Sequence, residues 1–151
     1  MFRKILVPTD GSHLSDKAVQ AAIDFAAETG AAVVGVAVAQ LYPFMLMPEA
    51  GAMVDLSLYE AVQDQAAQQH ITRLEAAARA AGVACEGIAV RAVHAYEEII
   101  ATAKSRQCDL IWMGSHGRHG LDRLLLGSET QRVLAHSKIT VLVYRESVAQ
   151  G

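Results

Sequence analysis

Residues 109 to 130 read DLIWMGSHGRHGLDRLLLGSET, and this stretch decides how the rest of the 151-residue chain is to be taken. Leu110 to Met113 is a short apolar run of the kind a buried strand shows. Gly114, Gly117 and Gly120 then recur at every third position, with Ser115, His116, Arg118 and His119 between them. A second apolar run, Leu124 to Leu126, leads into Gly127-Ser128-Glu129-Thr130, which reads as a helix start. Strand, glycine-rich loop and helix N-terminus together present backbone N–H groups to an anion. The segment is read as a holder of nucleotide phosphates.

The flanking chain supplies the scaffold. Lys4 to Val7 is a short buried strand stopped by Pro8, and Thr9-Asp10-Gly11-Ser12 follows as a turn in which Ser12 or Ser15 can cap the next helix. Ala18, Ala21, Ala22 and Phe25 lie at helical spacing from Leu14, with Gly30 as a stop. Ala31 to Ala39 is a nearly unbroken Ala/Val run, a strand buried on both faces, which argues for a parallel sheet. Leu58 to Ala81 is a long helix closed by Gly82, whose Gln63, Gln65, Gln68 and Gln69 read as a solvated face. Val83 to Val93 is a strand, Tyr96 to Arg106 a helix, Asp109 to Gly114 a strand, Ser128 to Ser137 a helix, and Ile139 to Tyr144 the fifth strand.

This alternation predicts an α/β fold: a single-domain, doubly wound, five-stranded parallel sheet with helices on both faces. It occupies residues 1–146, with a tail at 147–151. Between Gln40 and Asp55, Pro43 and Pro48 break regular structure while Phe44, Met45, Leu46, Met47 and Met53 keep the segment apolar. Folding over a ligand, a subunit contact and capping of the sheet all fit it.

Composition bounds the function. The net charge of −3 gives no broad electrostatic footprint for nucleic acid. No run approaches the roughly 20 apolar residues of a membrane span, and no secretory signal is visible, so a soluble cytoplasmic protein is expected. Cys85 and Cys108 read as buried free thiols of a reducing compartment.

In sheets of this kind ligands bind beyond the carboxyl ends of the strands, where strand order reverses. Two loops with binding character fall there, Pro8 to Ser12 and Gly114 to Gly127. If their strands are neighbours, Asp10 faces the glycine loop, and a carboxylate suits ribose hydroxyls while N–H groups suit phosphate. Asp10 equally fits a turn cap. Ser128 fits a capping box with Gln131 three residues on, and also a phosphate contact. No Gly-Lys-Ser/Thr tripeptide and no G-x-G-x-x-G after the first strand occur. His13, His116 and His119 lack a closely spaced carboxylate or cysteine, so no metal site is expected. Ser115 lacks the G-x-S-x-G elbow of a nucleophile, and no catalytic residue is assigned. Lys138 to Tyr144 would be an exposed apolar edge in a monomer, which self-association would cover.

Gly114-x-x-Gly117, nine residues, then Gly127-Ser128 resembles the ATP-binding signature of the universal stress protein family. Lys4-Ile-Leu-Val-Pro-Thr-Asp10 resembles that family's opening strand, and Ile139-Thr-Val-Leu-Val its last. The resemblance implies strand order 3-2-1-4-5 and a homodimer paired through the strand Ile139 to Tyr144. It implies bound ATP or AMP, with or without Mg2+, and no strong catalysis. Asp10, beside Pro8 and Thr9, would bind ribose, and Val38 would meet adenine through its backbone. Met113, Gly114, Gly117, Gly127 and Ser128 would line the phosphate path, with Thr130, His116 and Arg118 close by. Glu129 departs from the small or apolar residue often found there and is expected to face the phosphates, with Arg118 and Arg123 to compensate.

The leading expectation is therefore a dimeric adenine-nucleotide-binding sensor or regulator that presents a surface to a protein partner of unknown identity. The alternative is a nucleotide-free interaction module of the same fold. A true hydrolase would need a base or metal carboxylate near the γ-phosphate, for which only Asp10 and Asp122 offer themselves.

Overall fold

A computed structural model describes residues 1–41, 56–116 and 126–147. The apolar segment Tyr42 to Met53, the loop residues Gly117, Arg118, His119, Gly120, Asp122 and Arg123, and the last four residues lie outside the described ones.

Among the described residues nine elements alternate: β1 (Lys4–Pro8), α1 (His13–Thr29), β2 (Ala32–Gln40), α2 (Leu56–Ala80), β3 (Cys85–Ala92), α3 (Ala95–Ser105), β4 (Leu110–Gly114), α4 (Ser128–His136) and β5 (Thr140–Tyr144). The five strands form one parallel sheet in the order β3-β2-β1-β4-β5. The predicted fold class and strand order are those observed.

The central strands are apolar on both faces because both are covered. On one side Ile5, Val7, Val33 and Trp112 pack against Val19, Ala22 and Ile23 of α1 and Leu74 and Ala78 of α2. On the other, Leu6, Val34, Val36, Ile111 and Met113 pack against Ile99, Ile100 and Ala103 of α3 and Val133 of α4. α2 lies close to the sheet at Gly35, where a Cβ would come within 2.7 Å of Leu74 Cδ2. The start of β1 is tied to β4 by Asp109, whose Oδ2 accepts from Arg3 N at 2.9 Å and Oδ1 from Lys4 N at 3.0 Å.

The turn chemistry follows the sequence closely. Ser12 caps α1 by accepting from Ser15 N at 3.2 Å. Gly30 ends α1 in the left-handed region at φ 74°, open to glycine at no steric cost. Strand order reverses between β1 and β4, where such sheets open a crevice beyond the carboxyl ends of their strands.

Candidate functional site

The loop after β1 is held by its own side chains. Thr9 N donates to Val36 O at 2.9 Å, carrying the β1–β2 pairing past Pro8. Ser15 Oγ accepts from Asp10 N at 3.2 Å and donates to Thr9 Oγ1 at 3.2 Å. Asp10 Oδ1 accepts from Ser12 N at 2.9 Å. Asp10 thus has the turn-capping role, and it also lines the cleft described below, so the two sequence readings of this carboxylate are compatible.

Gly11 is required here. Its φ is 75°, and a Cβ would collide with the imidazole of His70 from α2. His70 Nδ1 lies 3.2 Å from Arg73 Nη2. A guanidinium only donates, so Nδ1 accepts and the neutral ring carries its proton on Nε2. Arg73 Nη1 in turn reaches Asp16 Oδ2 at 3.3 Å. Helices α1 and α2 together pin the ring against the β1 loop.

The second half of the site is built from β4 and α4. Ser115 N donates to Tyr144 O at 2.9 Å, and Gly127 N donates to Ser115 O at 2.7 Å, which returns the chain to the end of β4. Buried Thr130 adds a bond from Oγ1 to Gly114 O at 3.0 Å. The N-cap of α4 is Gly127, not Ser128, and no side chain caps it. The capping-box reading of Ser128 is therefore corrected: Gln131 Nε2 bonds Leu126 O at 2.7 Å, and Ser128 is the exposed first helical residue. A one-residue shift suffices, because Gly127 already takes the extended conformation (φ −58°, ψ 150°) that an N-cap needs. The N–H groups of Ser128, Glu129 and Thr130 are left without intrahelical acceptors at the positive end of the helix.

Glu129 sits in the first turn of α4, as expected, but its carboxylate has partners of its own. Oε2 accepts from Tyr96 N at 2.8 Å and Oε1 from Arg132 Nη1 at 3.1 Å. His94, the N-cap of α3, makes no side-chain cap bond, so Glu129 supplies the acceptor that α3 lacks. The expectation of a carboxylate simply aimed at phosphates is corrected accordingly. Arg132 also lies over the Tyr96 ring, 5.8 Å from its centroid, and His136 stacks on that ring at 5.3 Å. Desolvation, then the bond to Glu97, holds the Tyr96 phenol above its usual pKa.

These parts enclose one cleft of about 250 Å3. Of the expected site residues, Pro8, Thr9, Asp10, Val38, Met113, Gly114, His116, Gly127, Ser128, Glu129 and Thr130 all line it. Gly117 and Arg118 lie outside the described residues. Sequence reasoning missed Gln40, Gln63 and His70, which also line it. Gln63 in particular leaves the solvated face assigned to it. The signal was present: Gln63 and His70 are seven residues apart, one helical face, with Ala66 and Ala67 between them keeping the helix close. Gln40 follows Val38 by two and so shares its strand face.

Among the described residues no group of three or more His, Cys, Asp or Glu side chains is arranged to hold a metal ion. No described helix is long and apolar enough to cross a membrane.

The sheet order, the cleft and the glycine spacing can be compared with known proteins. The profile of the universal stress protein family matches residues 1–145. This chain belongs to the universal stress protein family. Within it, the chain is similar to the universal stress protein MJ0531 of Methanocaldococcus jannaschii, at 33% identity over 97% of this chain and 84% of that one. The solved structure of the protein MJ0577 superposes with a TM-score of 0.76 at 26% identity, covering 99% of each chain. A universal stress protein solved in complex with cAMP shares the fold, with a TM-score of 0.66 at 24% identity over 97% of this chain and 98% of that one.

Proposed function

We propose that this universal stress protein binds an adenine nucleotide, ATP or AMP, in the cleft at the ends of β1, β2 and β4, and acts as a dimeric sensor or regulator rather than a catalyst. The observation that carries the reading is the meeting of three features in one cleft: the Asp10 turn, the end of β2 at Val38, and the uncapped N-terminus of α4. The side chain and backbone groups divide by charge as a nucleotide does. Carboxylate and amide groups of Asp10, Gln40 and Gln63 suit ribose hydroxyls and a base edge, whereas the N–H groups of Ser128, Glu129 and Thr130, which have no intrahelical acceptor, suit phosphate. The family relative solved with cAMP supports an adenine ligand.

The concern that Glu129 repels phosphate loses weight, because Tyr96 N–H and Arg132 already compensate its charge. Self-association through β5 is favoured by the contrast between the sheet's two edges. The β3 edge carries charges, with Glu86 paired to Arg106 and Arg91 to Asp64 and Glu60. β5 reads Thr-Val-Leu-Val-Tyr, with no charge to discourage a second strand.

Calorimetric titration of the purified protein with AMP and with Mg-ATP tests the reading, together with mass spectrometry of the protein before and after denaturation. Saturable binding of one nucleotide per chain is expected. A protein that takes up neither nucleotide and releases none on denaturation would overturn it and leave the interaction-module reading in its place.

A further inference from the structure

Two glutamines line the cleft, and only one of them is held in place. Gln63 of α2 has no side-chain hydrogen-bond partner among the described residues, so its amide can turn either way. Gln40, the last residue of β2, is anchored. Its Nε2 donates to Val93 O at 3.4 Å, just past the end of β3. The backbone around it is tied down as well, with Leu41 N donating to Ala92 O at 2.9 Å and the Tyr59 hydroxyl to Gln40 O at 3.5 Å.

A carbonyl only accepts, so Val93 decides which end of the Gln40 amide is which. The NH2 end is turned to Val93, which is not part of the cleft wall, and Oε1 is the end left for the cleft. No described group donates to that oxygen, and it is not sealed from solvent. Gln40 thus offers the cleft a hydrogen-bond acceptor of fixed sense, whereas Gln63 offers an oxygen or an NH2 group as required.

The layout of the cleft says what that acceptor meets. From the N-terminus of α4, through the Asp10 turn, to Val38, a nucleotide is laid out as phosphate, ribose and base. Gln40 stands two residues beyond Val38 on the same strand face, farther along β2 from the turn. In a purine the C6 edge lies across the rings from the nitrogen that carries the ribose, so it is the edge that points on past Val38. Adenine carries an NH2 donor at C6, and a 6-oxo purine such as hypoxanthine carries an acceptor oxygen there. An oxygen fixed opposite that position bonds the first and meets the second lone pair to lone pair. An amide that can turn suits both.

We propose that Oε1 of Gln40, oriented by the Val93 carbonyl, is a specificity determinant that selects 6-amino over 6-oxo purine nucleotides, and that Gln63 binds the base without discriminating. The proposal rests on the nucleotide reading above and adds to it the side chain that chooses the base.

The test uses AMP and inosine monophosphate as probes, which differ only at the C6 and N1 edge of the base. Wild-type protein is expected to bind AMP about tenfold or more tightly than inosine monophosphate. Gln40→Leu, close in size but without the acceptor, is expected to cut that ratio by about fivefold or more, chiefly through lost AMP affinity. Gln63→Leu should leave the ratio within about twofold of the wild type. Equal wild-type affinities for the two probes, a Gln40→Leu protein that keeps the full ratio, or a Gln63→Leu protein that loses it would overturn the proposal while leaving nucleotide binding intact. The wild-type ratio needs no variant to fold. Wild-type protein that binds neither probe would instead bring down the nucleotide reading itself, and this proposal with it.

Discussion

The carboxylate of Glu129 accepts the backbone N–H of Tyr96 at 2.8 Å, so the first turn of one helix caps the first turn of another. Two helix N-termini, α3 and α4, are thereby held side by side at the rim of the cleft, where Ala95 and Ile99 of α3 also contribute wall. Removing that acceptor should cost about 1 kcal/mol, the usual worth of an N-cap. Glu129→Val is therefore expected to lower stability to chemical denaturation by about that amount, and Glu129→Gln, which keeps an oxygen acceptor, by less than half of it. AMP affinity of Glu129→Val should change by less than about threefold, because the charge removed was already compensated and is partly screened. A large gain in affinity would show that the carboxylate does oppose phosphate.

Gly11 and His70 occupy space that a methyl group would contest. Gly11→Ala is expected to destabilise by about 2 kcal/mol, from an unfavourable positive φ and from collision with the ring. Adding His70→Ala should return the steric part and leave about 1 kcal/mol of backbone strain. Urea midpoints for the two single variants and the double variant, at constant slope, give the coupling directly.

Burial, the largest effect, pushes both thiols up to about 11, with Glu75 reinforcing it at Cys85 and Lys4 opposing it at Cys108. Both should react slowly with a disulfide reagent in the native protein at neutral pH and readily after denaturation. The linkage has a definite sign. The folded-state values lie above the ordinary value of 9.0, so the contribution is whole below that pH and is lost as pH rises toward about 11. Denaturation midpoints measured across that interval should fall as pH rises, and less so in a Cys85→Ala, Cys108→Ala protein.

Tyr144 turns its carbonyl toward β4, where Ser115 N donates to it, so the neighbouring Val143 turns its N–H away from the sheet. Val143→Pro removes that outward donor without touching a β4–β5 bond. If β5 is the dimer edge, sedimentation should show monomers with an unchanged far-ultraviolet spectrum. A dimer that survives the change must be held elsewhere.

Most of the fold could be read in the sequence because its signals are local. The Ala/Val run at β2, Gly30 and Gly82 after helices, and Ser12 before one each act within a few residues, and element ends fall within two residues of those expected. The turn after β1 and the start of α4 were likewise visible, from Thr9-Asp10-Gly11-Ser12 and Gly127-Ser128. What escaped depends on contacts between distant parts of the chain. Glu129 and Tyr96 are 33 positions apart, and nothing near either residue announces their bond. Gln63 looked like one of several glutamines on a polar helix, and only the docking of α2 beside the β1 loop turns it inward. The cap of α4 moved by one residue because a glycine in extended conformation ends the preceding loop as well as a serine would.

The central position of β1 in the sheet has a consequence for the making of the protein. β1 is synthesised before the other four strands, whereas its partner β4 and the helix start at Gly127 come only after β2 and β3. The cleft therefore exists only in a chain translated to the start of α4. Fragments released earlier lack the turn at Ser128 entirely, so a ligand of this cleft would reward completed chains and pass over truncated ones.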